Sequence, residues 1–154
     1  MTARLDNTAK LAPAAFKAML GLEAALAASG LDPVLLELVK LRASQINGCA
    51  FCIHMHVADL RKRGETEMRL HMLPAWRESS LFTPRERAAL GWTEALTDLA
   101  ATRAPDVDYE ALKAAFTEAE QVNLTFAIGA INVWNRLNVG FRVPHPPQEL
   151  RDAA

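Results

Sequence analysis

Asn47-Gly48-Cys49-Ala50-Phe51-Cys52-Ile53-His54-Met55-His56 holds both cysteines of the chain and two of its four histidines. Asn47-Gly48 is a turn signal, but helical patterns flank it, so it joins two helices and not two strands. The residues that follow predict a helix from near Cys49 to Arg63, with Gly64 as its stop. Two residues separate the thiols, and at the start of a helix sulfurs so spaced can approach within disulfide reach. Free backbone N–H groups and the helix dipole favour a thiolate there. Such positions lower a cysteine pKa from about 8.5 to roughly 3.5–7.5, and the thiolate is the form that attacks a peroxide or a disulfide. His56 follows Cys52 by one helical turn on the same face, where an imidazole can take the thiol proton or stabilise the thiolate. His54 points away and reads as a surface or packing residue.

On both sides of this stretch nearly every segment reads as helix, and alternating β-branched runs are missing. Upstream, Asp32-Pro33 is an N-cap followed by Pro at the first turn; Val34, Leu35, Leu38, Leu41 and Ile46 carry that helix to Asn47-Gly48. An earlier helix spans about Thr8 to Ser29 on Leu11, Ala15, Ala18, Leu22 and Leu26, closed by Gly30. Downstream, a short helix covers about Glu65 to Leu73 and breaks at Pro74. Trp76 to Phe82 is expected to be a connection with two exposed aromatics. The capping box Thr83-Pro84-Arg85-Glu86 opens a helix through about Thr102, and a loop over Pro105 to Asp108 precedes one from Tyr109 to Phe116. A second box, Thr117-Glu118-Ala119-Glu120, opens a long helix through Leu124, Ile128, Ile131, Trp134 and Leu137, ending near Gly140. The expected fold is all-α, a bundle of about six to seven helices. One domain is expected over residues 1–154, with its core at about 10–144 and an extended tail over 145–154.

The chain has 154 residues, 51% of them apolar, and a net charge of -1. No apolar run reaches the roughly 18 residues that spanning a bilayer needs. Lys17 and Glu23 interrupt the Ala/Leu-rich stretch near the N-terminus, so it reads as an amphipathic helix and not as an export signal. Arg61-Lys62-Arg63 is the densest basic run and reads as a solvated helix end; neither nucleic acid nor membrane is an expected partner. With no export signal and no disulfide framework, the expected location is the reducing cytoplasm, where a close cysteine pair is redox-active or metal-binding. The last long helix is apolar on more than one face, through Ala127, Ile128, Ala130, Ile131, Val133 and Trp134. In a chain this small, that pattern points to a subunit interface.

Three readings of the thiol pair compete. It can be half of a zinc site completed by His54, His56 or His71, but no second Cys-x-x-Cys or His-x-x-x-His follows at finger-like spacing. It can be two inert buried thiols, against which the adjacent His56 counts. Redox activity ranks ahead of both. Glu37, twelve residues before Cys49, reads by periodicity as half of a surface pair with Lys40. Trp76, Trp92 and Trp134 read as core packing ahead of substrate-pocket lining. Asn132, Asn135 and Asn138 have no assigned role.

Glu37, then Asn47-Gly48-Cys49-Ala50-Phe51-Cys52, then His56 resembles the core signature of the alkylhydroperoxidase D (AhpD)-like proteins of the carboxymuconolactone decarboxylase superfamily. Trp76-Arg77-Glu78-Ser79 and Asn132-Val133-Trp134-Asn135-Arg136-Leu137 resemble a bacterial subgroup, and the likeness runs from about residue 10 to 144. The resemblance implies an all-helical homo-oligomer, trimer or hexamer, that reduces peroxides without a metal or other cofactor. It implies that Cys52 attacks the peroxide, that Cys49 resolves the sulfenic acid into a 49–52 disulfide, and that His56 and Glu37 relay protons. An external dithiol, a lipoyl group or a small reductant protein, then reopens the disulfide. The family's best-known pattern has a histidine immediately before the second cysteine; Phe51 stands there in this chain and makes the pocket more apolar. Thioredoxin-like pairs use the first cysteine as nucleophile, the opposite order. Two alternatives stand beside the peroxidase: a decarboxylase of lactone acids, whose relatives generally lack the thiol pair, and a non-enzymatic redox-sensing or zinc-binding oligomer.

Overall fold

Proline and short polar side chains set most of the helix boundaries. The computed structural model describes residues 2–145, and its regular elements there are all helical. They are α1 (Thr8–Leu11), α2 (Pro13–Ala27), α3 (Pro33–Ile46), α4 (Ala50–Lys62) and α5 (Glu67–Met72). A 3₁₀ turn (Leu73–Ala75) leads on to α6 (Pro84–Thr97), α7 (Leu99–Thr102), α8 (Asp106–Ala115) and α9 (Glu118–Phe141). Asp32 caps α3 through Val34 N–H, and both predicted capping boxes, at Thr83 and Thr117, are formed.

Two breaks raise the helix number above the expected six to seven. The segment expected as one helix over Thr8 to Ser29 divides at Ala12 (φ -137°, ψ 61°), because Pro13 disfavours helical geometry in the residue before it. The segment from Pro84 to Thr102 divides at Asp98 (φ -103°, ψ 44°), which ends α6 while its N–H still reaches Glu94 O. α8 starts earlier than predicted, since Pro105 already holds the N-cap geometry. All but the first residue of the expected extended tail over 145–154 lies outside the described residues.

The connection from Trp76 to Phe82 differs from expectation. Both aromatics are buried, at 4% exposure each. Arg87 on α6 fastens the loop by donating to Trp76 O, Ser79 O and Arg77 O, which turns both rings into the core. The guanidinium groups of Arg77 and Arg87 also lie over the Trp76 ring.

α3 is central, packed against α4, α6 and α9. Its Leu38, Val39, Leu41 and Ala43 are fully buried, and each large side chain among them contributes roughly 1.5–3 kcal/mol through burial. On one side Leu35, Leu36 and Val39 pack with α2, α6, α8 and α9. On the other, Leu38 and Leu41 pack with Leu60, Leu70, Leu73 and Trp76. A third cluster, Ala43, Cys49, Cys52 and Ile131, with Phe51 and Trp134 against it, lies where α3, α4 and α9 meet.

Candidate active site

The turn between α3 and α4 places the thiols. Gly48 has φ +66°, a left-handed conformation that a side chain would strain, and it lets the chain reverse within two residues. Cys49 then serves as N-cap of α4: its sulfur accepts from Cys52 N–H at 3.3 Å. Cys52 therefore sits in the first turn, at the positive end of the helix. Both thiols are free and 1% exposed.

The two cysteines have opposite acidities. Cys52 is held down to about 6, first by the hydrogen bond from the Cys49 thiol, then by bonds from Asn138 and Asn135 and the nearby His56 charge, against burial, which raises it. The same thiol–thiol hydrogen bond, together with burial, pushes Cys49 well above the ordinary range. The pair is thus a Cys52 thiolate beside a Cys49 thiol that keeps its proton.

His56, 3% exposed, lies one turn beyond Cys52 on α4. Its Nδ1 is 2.7 Å from Glu37 Oε2 on α3. With the carboxylate accepting from Nδ1–H, the other ring nitrogen is the basic one, and Nε2 is buried with no hydrogen-bond partner. The surface pair expected between Glu37 and Lys40 is not formed. Lys40 Nζ instead meets Glu23 Oε2 at 2.6 Å, which leaves Glu37 to His56.

The asparagines without an assigned role in the sequence build the back of the site. Asn138 Nδ2 donates to Cys52 Sγ at 3.2 Å. Asn47 Nδ2 donates to Asn132 Oδ1 at 3.0 Å and to Asn135 Oδ1 at 2.9 Å, tying the thiol-bearing turn to α9. Asn135 donates in turn to Ser44 Oγ at 3.0 Å. The one available signal was their regular three-residue spacing on a helix otherwise apolar at its centre.

Cys52, His56 and Glu37 line one cavity of about 460 Å³, whose walls include Phe16, Leu20, Phe51, Met55, Ile131 and Trp134. Trp134 therefore lines the site as well as packing against the thiol cluster, and its Nε1 donates to Glu23 Oε1 at 3.0 Å. Trp76 is core, donating to Glu94, while Trp92 is half-buried and bonded to Thr125. His54 stacks on His145, apart from this cavity, and His71 lies beside Glu67. Among the described residues no three His, Cys, Asp or Glu side chains converge as a metal ion would require.

The family model described as Carboxymuconolactone decarboxylase family matches residues 13–95. The uncharacterized protein YdfG of Bacillus subtilis is 41% identical over 130 residues, covering 84% of this chain and 88% of that protein. A crystal structure of a protein of unknown function from Agrobacterium tumefaciens, described as a candidate antioxidant defence protein AhpD, superposes with a TM-score of 0.91 at 50% identity. It covers 96% of this chain and 100% of that one. A peroxidase-related protein from Ralstonia eutropha, described as an alkylhydroperoxidase AhpD core, has a TM-score of 0.77 over 90% of this chain and 74% of that one. At 22% identity its likeness is one of fold.

Proposed function

Since the chain belongs to the carboxymuconolactone decarboxylase family and has AhpD-like structural relatives, we propose that it is a thiol-dependent peroxidase acting on organic hydroperoxides. The observation that carries this reading is a cavity lined together by Cys52, whose pKa is lowered to about 6, by His56, whose Nε2 is buried and unpartnered, and by Glu37, bonded to the Nδ1 of that histidine.

The reaction has three steps. The Cys52 thiolate attacks the terminal peroxide oxygen, the O–O bond breaks, and sulfur becomes a sulfenic acid. The departing alkoxide takes a proton from His56, whose Nε2 had received it from the Cys52 thiol, while Glu37 holds the ring and balances the imidazolium. The Cys49 sulfur then attacks Cys52, the S–O bond breaks, and the Cys49 proton leaves with hydroxide as water, closing the 49–52 disulfide. A dithiol from outside, a lipoyl group or a small reductant protein, returns both cysteines to thiols. Cys52 rather than Cys49 is the attacking sulfur because Cys52 is the cysteine that lines the cavity shared with His56 and Glu37. The assembly proposed with this activity is a homo-oligomer, trimer or hexamer.

The test is consumption of an alkyl hydroperoxide with dihydrolipoamide by wild type, Cys52→Ser, Cys49→Ser and His56→Ala. Both cysteine variants should lose turnover, and His56→Ala should fall by about a hundredfold. Equal rates in all four proteins would contradict the mechanism.

A further inference from the structure

The two cysteines line different cavities, and only the Cys49 cavity is lined by cations without carboxylates among the described residues. The Cys52 cavity is lined by three carboxylates, Glu23, Glu37 and Asp59, of which Glu23 is paired with Lys40 and Glu37 with His56. Cys49 lines a second cavity of about 430 Å³ whose charged residues are Arg4 and Arg142, and among the described residues no carboxylate lines it. Phe51, Asn138 and Val143 line both, so the cavities share a wall and the thiol pair lies across it. Arg4 is fixed at the mouth: its backbone N–H donates to Phe141 O and its Nη1 to Gly140 O, both at 2.9 Å. Arg142 follows α9 as its left-handed cap residue, with φ 54°. Both arginines are exposed.

We propose that the Cys49-side cavity admits the reductant, and that, beside the dithiol route above, it accepts low-molecular-weight monothiols and prefers among them one bearing a carboxylate. This rests on the peroxidase reading above and names the reductant class and its route. The volume suits a small ligand. Two guanidinium groups favour a carboxylate there, whereas the carboxylates of the other cavity already hold the cations near them. The incoming thiolate attacks Cys49 Sγ, the 49–52 bond breaks, and its electron pair leaves on Cys52 as a thiolate. A second thiolate attacks the sulfur that the first has donated, releasing the oxidised thiol dimer and a Cys49 thiolate, which takes a proton. Two thiols are oxidised and one disulfide is reduced. Cys52 suits the leaving role, because a thiol of low pKa departs faster.

The experiment starts from full-length protein oxidised with diamide and follows reduction by mercaptopropionate, mercaptoethanol and cysteamine. Each rate is divided by that thiol's rate on a neutral small-molecule disulfide. Wild type should prefer mercaptopropionate over cysteamine by roughly fivefold or more, and the preference should fade in high salt. Joint replacement Arg4→Glu with Arg142→Glu should reverse it, Arg4→Lys with Arg142→Lys should keep it, and acid-quenched samples should carry the mixed disulfide on Cys49. No preference, a preference that survives charge reversal, or an adduct on Cys52 would overturn the proposal. Failure of diamide to form a 49–52 disulfide would remove the peroxidase reading, and this proposal with it. A disulfide that forms in a peroxide-consuming protein but is reduced without charge preference would remove this proposal alone.

Discussion

Two thiols three positions apart differ in chemistry because one caps the helix and the other lies inside its first turn. Cys49 keeps the proton and donates, and Cys52 is held down to about 6. A lowered pKa means that the thiolate persists as pH falls, so Cys52 should remain reactive at neutral pH and lose reactivity as pH drops through about 6. An ordinary thiol would already lose it below about 8.5. Iodoacetamide labelling with peptide mapping across pH should show Cys52 modified first, with that midpoint. Cys49→Ala removes the largest support of the thiolate and should move the midpoint up; Asn138→Ala should move it in the same direction by less. Uniform labelling of both cysteines would contradict this division. At this scale the order Glu37, Cys49, Cys52, His56 was legible as a family pattern; the fold brings Glu37, Cys52 and His56 to one cavity and sets Cys49 beside Cys52. Glu37 on periodicity alone looked like a partner for Lys40; the long-range attraction of Glu23 for Lys40 decided otherwise. Asn138 reaches Cys52 across 86 residues of sequence, a contact that local spacing cannot announce.

Helix starts carry side-chain signals that helix interruptions lack. Thr83 and Thr117 were legible because a capping box is a local exchange of hydrogen bonds. The break at Asp98 was not, since the residues around it continue a helical pattern. The burial of Trp76 and Phe82 was also hidden, because it depends on Arg87, which lies in a later helix. Between elements, Asn47 is the tie that joins the α3–α4 turn to α9. Asn47→Ala would leave the buried Asn135 oxygen without this donor and should cost about 1–3 kcal/mol. Thr117→Ala, which removes only a surface cap, should cost about 1 kcal/mol. Urea denaturation of both variants checks the ranking, and an Asn47→Ala protein as stable as wild type would contradict it.

At the scale of the molecule, α9 was expected to be apolar on more than one face, and the structure divides those faces. Ala127, Ile128, Ala130 and Ile131 are buried, while Val122, Phe126 and Val133 are exposed, Phe126 at 55%. The exposed residues border a cavity of about 410 Å³ that also includes Met19, Trp92 and Tyr109. Among the described residues no helix is long and apolar enough to cross a membrane. A second copy of the chain is the proposed cover for that face. Sedimentation velocity should therefore give a mass above that of one chain, and Phe126→Asp should lower it; a wild-type monomer would contradict the proposed assembly. In the proposed mechanism Cys52 is the sulfur that peroxide oxidises. Reduced protein mixed with one equivalent of an alkyl hydroperoxide, quenched and mapped by mass spectrometry, tests it most directly. Wild type should yield a 49–52 disulfide and Cys49→Ser a sulfenic acid on Cys52; oxidation confined to Cys49, or thiols left untouched, would rule this mechanism out.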